Sequence, residues 1–184
     1  MSIPHRERVL RAATSSFLAR GYGSSVDDIA RRAGVAKQTV YQHFASKDEL
    51  FKEVARDLAK QVLVELEEGN VRESLLRFAI AYRKRALGPQ GIATFRTLVP
   101  EVPRFRALAR TMYANTAGEM VRRLAEFLKH KLEVPDPEFA AEMLLSMLSG
   151  HDRLKRLFAV PPSAESEAAR TARIVDCFLK AHRP

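Results

Sequence analysis

A single cysteine, Cys177, in 184 residues leaves no internal disulfide to form, and nothing at the N-terminus joins a charged start to an apolar run of signal-peptide length. A disulfide-stapled secreted fold is therefore not expected, and the expected compartment is the cytoplasm. Continuous apolar runs are as short as Met143–Leu145 and charges interrupt the rest, so no segment is expected to enter a membrane. Alternating strand patterns bounded by turn residues are missing, as are repeats and low-complexity stretches. The chain also lacks spaced metal ligands, a nucleophile with a paired base, a phosphate-cradling glycine loop and paired carboxylates. Enzyme activity, a metal and a cofactor are accordingly not expected.

What is present in excess is positive charge: 31 Lys and Arg against 22 Asp and Glu give a formal +9. A polyanionic partner is one consequence to consider, since clustered cations release counterions from phosphates. The charge is spread, however, with +3 on residues 1–50 and +6 on the remaining 134. Basicity alone does not choose between a DNA-coating protein and a solvated surface, and local pattern has to decide.

Apolar residues recur at helical spacing along nearly the whole chain, which predicts an all-α fold of about nine helices. An opening helix is expected from about Pro4 to Gly21, with Val9, Ala13, Phe17 and Leu18 inward and Arg6, Arg8, Arg11 and Arg20 outward. Ser25-Val26-Asp27-Asp28 has capping-box spacing and opens a short helix that Gly34 ends. A second short helix covers about Lys37 to Phe44, and Ser46-Lys47-Asp48-Glu49 opens a long one running to about Glu68. Then follow a helix over Val71 to Leu87, a Gly88-Pro89-Gln90-Gly91 turn, a stretch broken by Pro100 and Pro103, and a long helix from about Arg104 to Leu132. The last two helices are expected at about Glu138–Phe158 and Glu165–Ala181.

Two short capped helices joined by Ala33-Gly34-Val35 have helix-turn-helix spacing. Their inner faces are apolar: Val26, Ile29, Ala30 and Ala33, then Val35, Val40 and Phe44, with Phe17 beneath. Outward on the second helix stand Lys37, Gln38, Thr39, Tyr41, Gln42 and His43, with no acidic residue among them. An ordinary solvated face would mix in Asp or Glu; a face that reads double-stranded DNA would not. Ala36, at the cap position of that helix, has no side-chain acceptor for the free amides.

The stretch Gly34-Val35-Ala36-Lys37-Gln38-Thr39-Val40-Tyr41-Gln42-His43-Phe44-Ala45-Ser46-Lys47-Asp48-Glu49-Leu50, with Ala13, Phe17, Gly21 and the Ser25–Ala33 helix, closely resembles the TetR family of bacterial regulators. The resemblance implies an N-terminal three-helix DNA-binding domain over residues 1–46 and a larger helical effector-binding and dimerisation domain over 47–184. It implies that the Lys37–Phe44 helix enters the major groove of an operator. Lys37 and Gln38 lead that helix and suit guanine O6/N7 and adenine N6/N7, Thr39 a thymine methyl or a phosphate, and Gln42 a base or the backbone. Tyr41 and His43 resemble the family's phosphate-contacting pair, and Ser25 and Lys47 would complete the backbone clamp. The chain departs from the family where Ala36 replaces a capping Ser or Thr, and where Gln38 is larger than the usual residue.

In the C-terminal part, Phe78, Tyr82, Phe95, Phe105, Met112, Tyr113, Thr116 and Met120 are candidates for an apolar effector pocket, or else simply for core. His151, beside Asp152 and Gly150, could orient a ligand or pack as an ordinary helix residue. The Arg83-Lys84-Arg85 run and the Arg104, Arg106 and Arg110 series either meet an anion or lie in solvent. Cys177 is expected to be buried and inert beside Ile174 and Phe178. Phe139, Ala140, Met143, Leu144, Met147, Leu148, Ala168, Ala172, Val175, Cys177 and Leu179 supply more apolar surface on the last two helices than one core would use. A homodimer through those helices is expected, and the family resemblance points the same way. The function expected is a ligand-responsive repressor released from a palindromic operator by a small-molecule effector, with an activator of the same fold or a non-specific DNA-binding protein as the alternatives.

Overall fold

The computed structural model describes residues 3–63, 66, 70–99, 102–103, 106–161 and 164–182. Among these residues the ordered elements are helical: α1 (His5–Arg20), α2 (Val26–Ala33), α3 (Lys37–His43), α4 (Lys47–Leu63), α5 (Val71–Leu87), α6 (Pro89–Leu98), α7 (Arg106–Tyr113), α8 (Glu119–Leu132), α9 (Pro137–Leu157) and α10 (Glu167–Ala181). The five residues Ala114–Gly118 join α7 to α8 through a π-helical turn, so these ten segments make nine helices.

Side-chain caps set most starts. Ser25 Oγ accepts from the Asp28 amide at 3.1 Å, Asn70 Oδ1 from Glu73 at 2.9 Å, Asp136 Oδ1 from Phe139 at 3.1 Å and Ser166 Oγ from Ala169 at 3.2 Å. At α4 Ser46 Oγ accepts from the Glu49 amide at 3.1 Å, and Glu49 Oε2 reaches past the cap residue to accept from the Ala45 amide at 2.7 Å. The expected turn at Gly88–Gly91 is instead the start of α6, because Pro89 takes the first helical position, where a missing N–H costs nothing. Asn70 caps the start of α5.

The chain divides into two compact units, residues 1–58 with 93–116, and 59–92 with 117–184. The first core joins Val9, Ala13 and Phe17 of α1, Val26, Ile29, Ala30 and Ala33 of α2, Val40 and Phe44 around α3, and Leu50, Phe51 and Val54 of α4. The opening turns of α4 thus belong to the N-terminal core. The Phe51 ring meets the edges of Phe17 and Tyr22, with centroids 4.9 and 5.5 Å away.

The second core takes Leu75, Phe78 and Ala79 from α5, Met120, Leu124 and Leu128 from α8, Ala140, Leu144 and Leu148 from α9, and Val175 and Phe178 from α10. Cys177 is exposed, contrary to expectation. Thr171, Val175 and Phe178 form the inward stripe of α10, and a residue one step before Phe178 is turned about 100° away from it. On α9, Ala140, Leu144 and Leu148 face the core, whereas Phe139 and Met147 are exposed.

An ion-pair cluster ties α5 to α9 and α10. Arg83 is 4% exposed; its Nη1 lies 2.9 Å from Asp152 Oδ2 and donates to the Leu148 carbonyl at 2.5 Å, while Nη2 lies 2.5 Å from Glu167 Oε2. Arg170 Nε adds a second contact to Asp152 at 2.7 Å, and Arg156 pairs with Glu167. Burial pushes the Asp152 carboxyl up, but hydrogen bonds from Arg170 and Arg83 outweigh it and hold the group below its usual range. The Arg83 hydrogen bond likewise lowers Glu167. Arg83 is therefore bound up within the fold, not presented to an anion.

Candidate nucleic-acid interface

Three contacts fix how α3 is presented. Gly34 ends α2 in the left-handed region, at φ 64°, and its amide donates to the Arg31 carbonyl at 3.2 Å. Arg8, which had read as an outward residue, is half-buried: Nε donates to the Ala33 carbonyl at 2.9 Å and Nη2 to the Gly34 carbonyl at 2.8 Å. This guanidinium satisfies carbonyls that the end of α2 leaves free, and it sits so close that a Cβ on Gly34 would lie 2.6 Å from Nη2. Sequence reading missed Arg8 because its partners are backbone atoms 25 and 26 residues away. Beneath the turn, the mostly buried Asp28 carboxylate gathers Arg20, Arg31 and Arg32, the last at 3.2 Å.

The outer face of α3 carries Lys37, Gln38, Tyr41, Gln42 and His43, all exposed, with Thr39 half-buried between them. Only Val40 of this helix enters the core. Ala36 has cap geometry, φ −69° and ψ 149°, and supplies no side-chain hydrogen bond, as its identity requires. Lys37 Nζ pairs with Asp27 Oδ2 of α2 at 2.9 Å, and that hydrogen bond, with the carboxylate charge, holds the ammonium above the ordinary lysine range.

Ser25 is exposed at the start of α2, its hydroxyl engaged by the Asp28 amide. Lys47, half-buried at the start of α4, sits with Nζ 4.1 Å from the centroid of the Tyr22 ring. Desolvation lowers its pKa, opposed by the charge of Asp48. Burial, together with a short hydrogen bond to Asp48, pushes the Tyr22 phenol up to about 12, so this ring stays neutral. Ser25, Lys47 and the α3 face all belong to the first compact unit. The surface they form offers hydrogen-bond donors, amide side chains and cations without a carboxylate on α3 itself, which is the chemistry of a helix that meets base edges flanked by phosphates.

The residues expected to line an effector pocket divide between the two units. Phe78 is fully buried and its ring stacks on Tyr82 at 6.0 Å, while the Tyr82 hydroxyl lies 3.1 Å from Ser149 Oγ. Met120 is buried in the same core. Phe95 and Tyr113 are exposed, Tyr113 at 61%, and Thr116 is half-buried in the π-helical turn. His151 is exposed on α9, so it neither packs inward nor shares the ion pairs of Asp152 beside it. Phe105 and the Met112 side chain lie outside the described residues, as does Arg104. Among the described residues no group of three or more metal-ligating side chains converges, and no helix is long and apolar enough to cross a membrane.

Two family models account for most of the chain. Bacterial regulatory proteins of the tetR family match residues 9–54, and the C-terminal domain of AefR-like transcriptional repressors matches residues 73–184. The chain belongs to the TetR family. A TetR-family regulator from Mesorhizobium loti MAFF303099 is 26% identical, with 98% of this chain and 97% of that one covered and a TM-score of 0.75. The flavonoid-responsive regulator FrrA is 30% identical with the same coverages and a TM-score of 0.73. The HTH-type transcriptional regulator YhgD of Bacillus subtilis (strain 168) is 39% identical over 69 residues, 37% of this chain. That match spans about a third, 36%, of YhgD. The TetR-family fold and the DNA-binding regulatory class read from residues 25–50 are thus both upheld.

Proposed function

We propose that the protein is a homodimeric, ligand-responsive repressor in the cytoplasm that binds a palindromic or near-palindromic operator through α3 and leaves it when a small-molecule effector binds. The observation that carries this reading is the exposed, acid-free face of Lys37, Gln38, Tyr41, Gln42 and His43 on a helix whose other side is pinned to a core shared with α1, α2 and the start of α4. In this reading residues 1–46 bind DNA, helped by Lys47 at the boundary, and 47–184 otherwise bind effector and partner. Lys37 and Gln38 read bases, Thr39 and Gln42 assist, and Tyr41, His43, Ser25 and Lys47 hold phosphates. Repression is favoured over activation by the repressor C-terminal model that matches residues 73–184, and response to a ligand by the likeness to flavonoid-responsive FrrA.

The exposed apolar stripe of α9 supports dimerisation through the last two helices. Phe139, Met147 and Leu154 recur at intervals that keep one side of the helix, and Phe158, the residue just after it, is 78% exposed. A two-fold dimer places two copies of α3 on successive major grooves, so the operator has two half-sites about one helical turn apart, roughly 34 Å. Selecting bound duplexes from a random pool tests this directly: a symmetric pair of half-sites is expected, and a selection without consensus would leave a DNA-coating protein in its place. Effector control is tested by linkage. An effector that releases DNA must bind the operator complex more weakly by the same factor, and equal affinity with and without operator would refute it.

A further inference from the structure

Lys37 begins α3, and its ammonium is not left to wander. The Asp27 carboxylate of α2 holds it at 2.9 Å, although both side chains are open to solvent, 51% and 68% exposed. A screened pair of this kind contributes little to stability, so its geometry calls for another use. The cations nearest in sequence to Asp27 are engaged elsewhere: Arg31 and Arg32 of α2, with Arg20 of α1, all converge on Asp28. Asp27 also stands in the first turn of α2, where free backbone amides favour an ionised carboxylate. Lys37 is consequently its ion-pair partner among the described residues, across ten residues and the turn of the helix-turn-helix.

We propose that Asp27 is a positioning residue for sequence recognition: it aims Lys37 at a base edge and keeps it from neighbouring phosphates. This rests on the reading of α3 as the recognition helix. An ammonium carries three N–H donors. Asp27 takes one, which leaves two, the number that guanine O6 and N7 accept in the major groove. The pair persists in the operator complex, so Lys37 meets its guanine with much of its side-chain freedom already spent. On other sequences the same tether withholds Lys37 from the backbone, and the contact that would raise affinity without discrimination is not made.

The two effects move operator and random DNA in opposite directions, which separates positioning from plain charge. An acidic side chain near DNA that acted only through its charge would, once neutralised, tighten every duplex alike. The test compares wild type, Asp27→Asn, Lys37→Ala and the double variant, titrated by fluorescence anisotropy against the duplex that the wild-type protein selects and a random duplex of equal length. Asp27→Asn is expected to weaken the selected duplex and to tighten or spare the random one, lowering their affinity ratio roughly three- to tenfold. In the Lys37→Ala background the same substitution is expected to leave the ratio unchanged. Equal tightening of both duplexes by Asp27→Asn would overturn the proposal in favour of a surface charge. A loss that persists without Lys37 would overturn it in favour of an effect through α2. If Lys37→Ala alters neither duplex, the assignment of Lys37 as a base reader falls, and the proposal with it.

Discussion

At the scale of single residues, α3 has one weak joint, and two side chains test the roles proposed for the DNA-binding surface. Ala36 holds the backbone angles of a capping residue without the oxygen that normally goes with them, so the first amides of α3 lack a side-chain partner. Ala36→Ser is expected to stabilise the N-terminal core by about 1 kcal/mol, measured by chemical denaturation; an unchanged midpoint would mean that those amides are already satisfied by solvent. Substitutions at Gln38 and Lys47 would separate the base reading proposed for the first from the backbone holding proposed for the second. Gln38→Ala should shift preference at one operator position by about 1–3 kcal/mol, read from a panel of single-base variants. Lys47→Ala should weaken all sequences alike and flatten the log–log salt slope by about 1. Because the Lys47 ammonium rests on the Tyr22 ring, that variant should also lose about 0.5–1 kcal/mol of stability.

Among the elements, α5, α9 and α10 are joined by charge as well as by apolar packing. Removing Arg83 leaves Asp152 with Arg170 and Glu167 with Arg156, and it opens a buried site. Arg83→Met is expected to cost about 3 kcal/mol in thermal or denaturant unfolding. The carboxyls of Asp152 and Glu167 are held below their ordinary range in the folded protein, so their stabilisation is complete above that range. It is lost as pH falls through the lowered values, below about pH 4. A melting temperature that is flat from pH 7 to 5 and drops steeply below 4 would agree. An Arg83→Met variant should lose part of that acid step.

Much of this was legible in advance where caps and apolar spacing coincide. Ser25, Ser46 and Gly34 mark boundaries because one side chain or one backbone angle decides them locally. The start of α6 was hidden because Gly-Pro-Gln-Gly serves a turn and a helix N-terminus equally well. Arg83 was opaque for a different reason: a basic triplet does not reveal which member turns inward, since that depends on carboxylates 69 and 84 residues away. Likewise Arg8 acts on backbone atoms that carry no side-chain signature. The residues of α3 proposed to face DNA were legible as a set, because five of them stand exposed on one short helix whose other side is apolar.

For the whole molecule, the proposed dimer rests on what covers the stripe of Phe139, Met147 and Leu154 on α9, with Phe158 just beyond it. Met147→Glu places a charge on that stripe without touching the core residues Leu144 and Leu148. It is expected to yield a folded monomer by sedimentation or light scattering, with affinity for a two-half-site operator reduced toward that for one half-site. A variant that remained dimeric with unchanged affinity would move the interface off α9. The +9 charge gives no comparable lever, since it is divided along the sequence, +3 on residues 1–50 and +6 on the rest.

Cys177, unique in the chain and exposed on α10 of the single chain, offers one thiol for site-specific labelling on a helix of the proposed dimer interface, without any background mutation. In the proposed dimer a nitroxide there would report on its twin by electron–electron dipolar coupling, giving an intersubunit ruler. With it, the spectroscopist follows one distance as operator or effector is added.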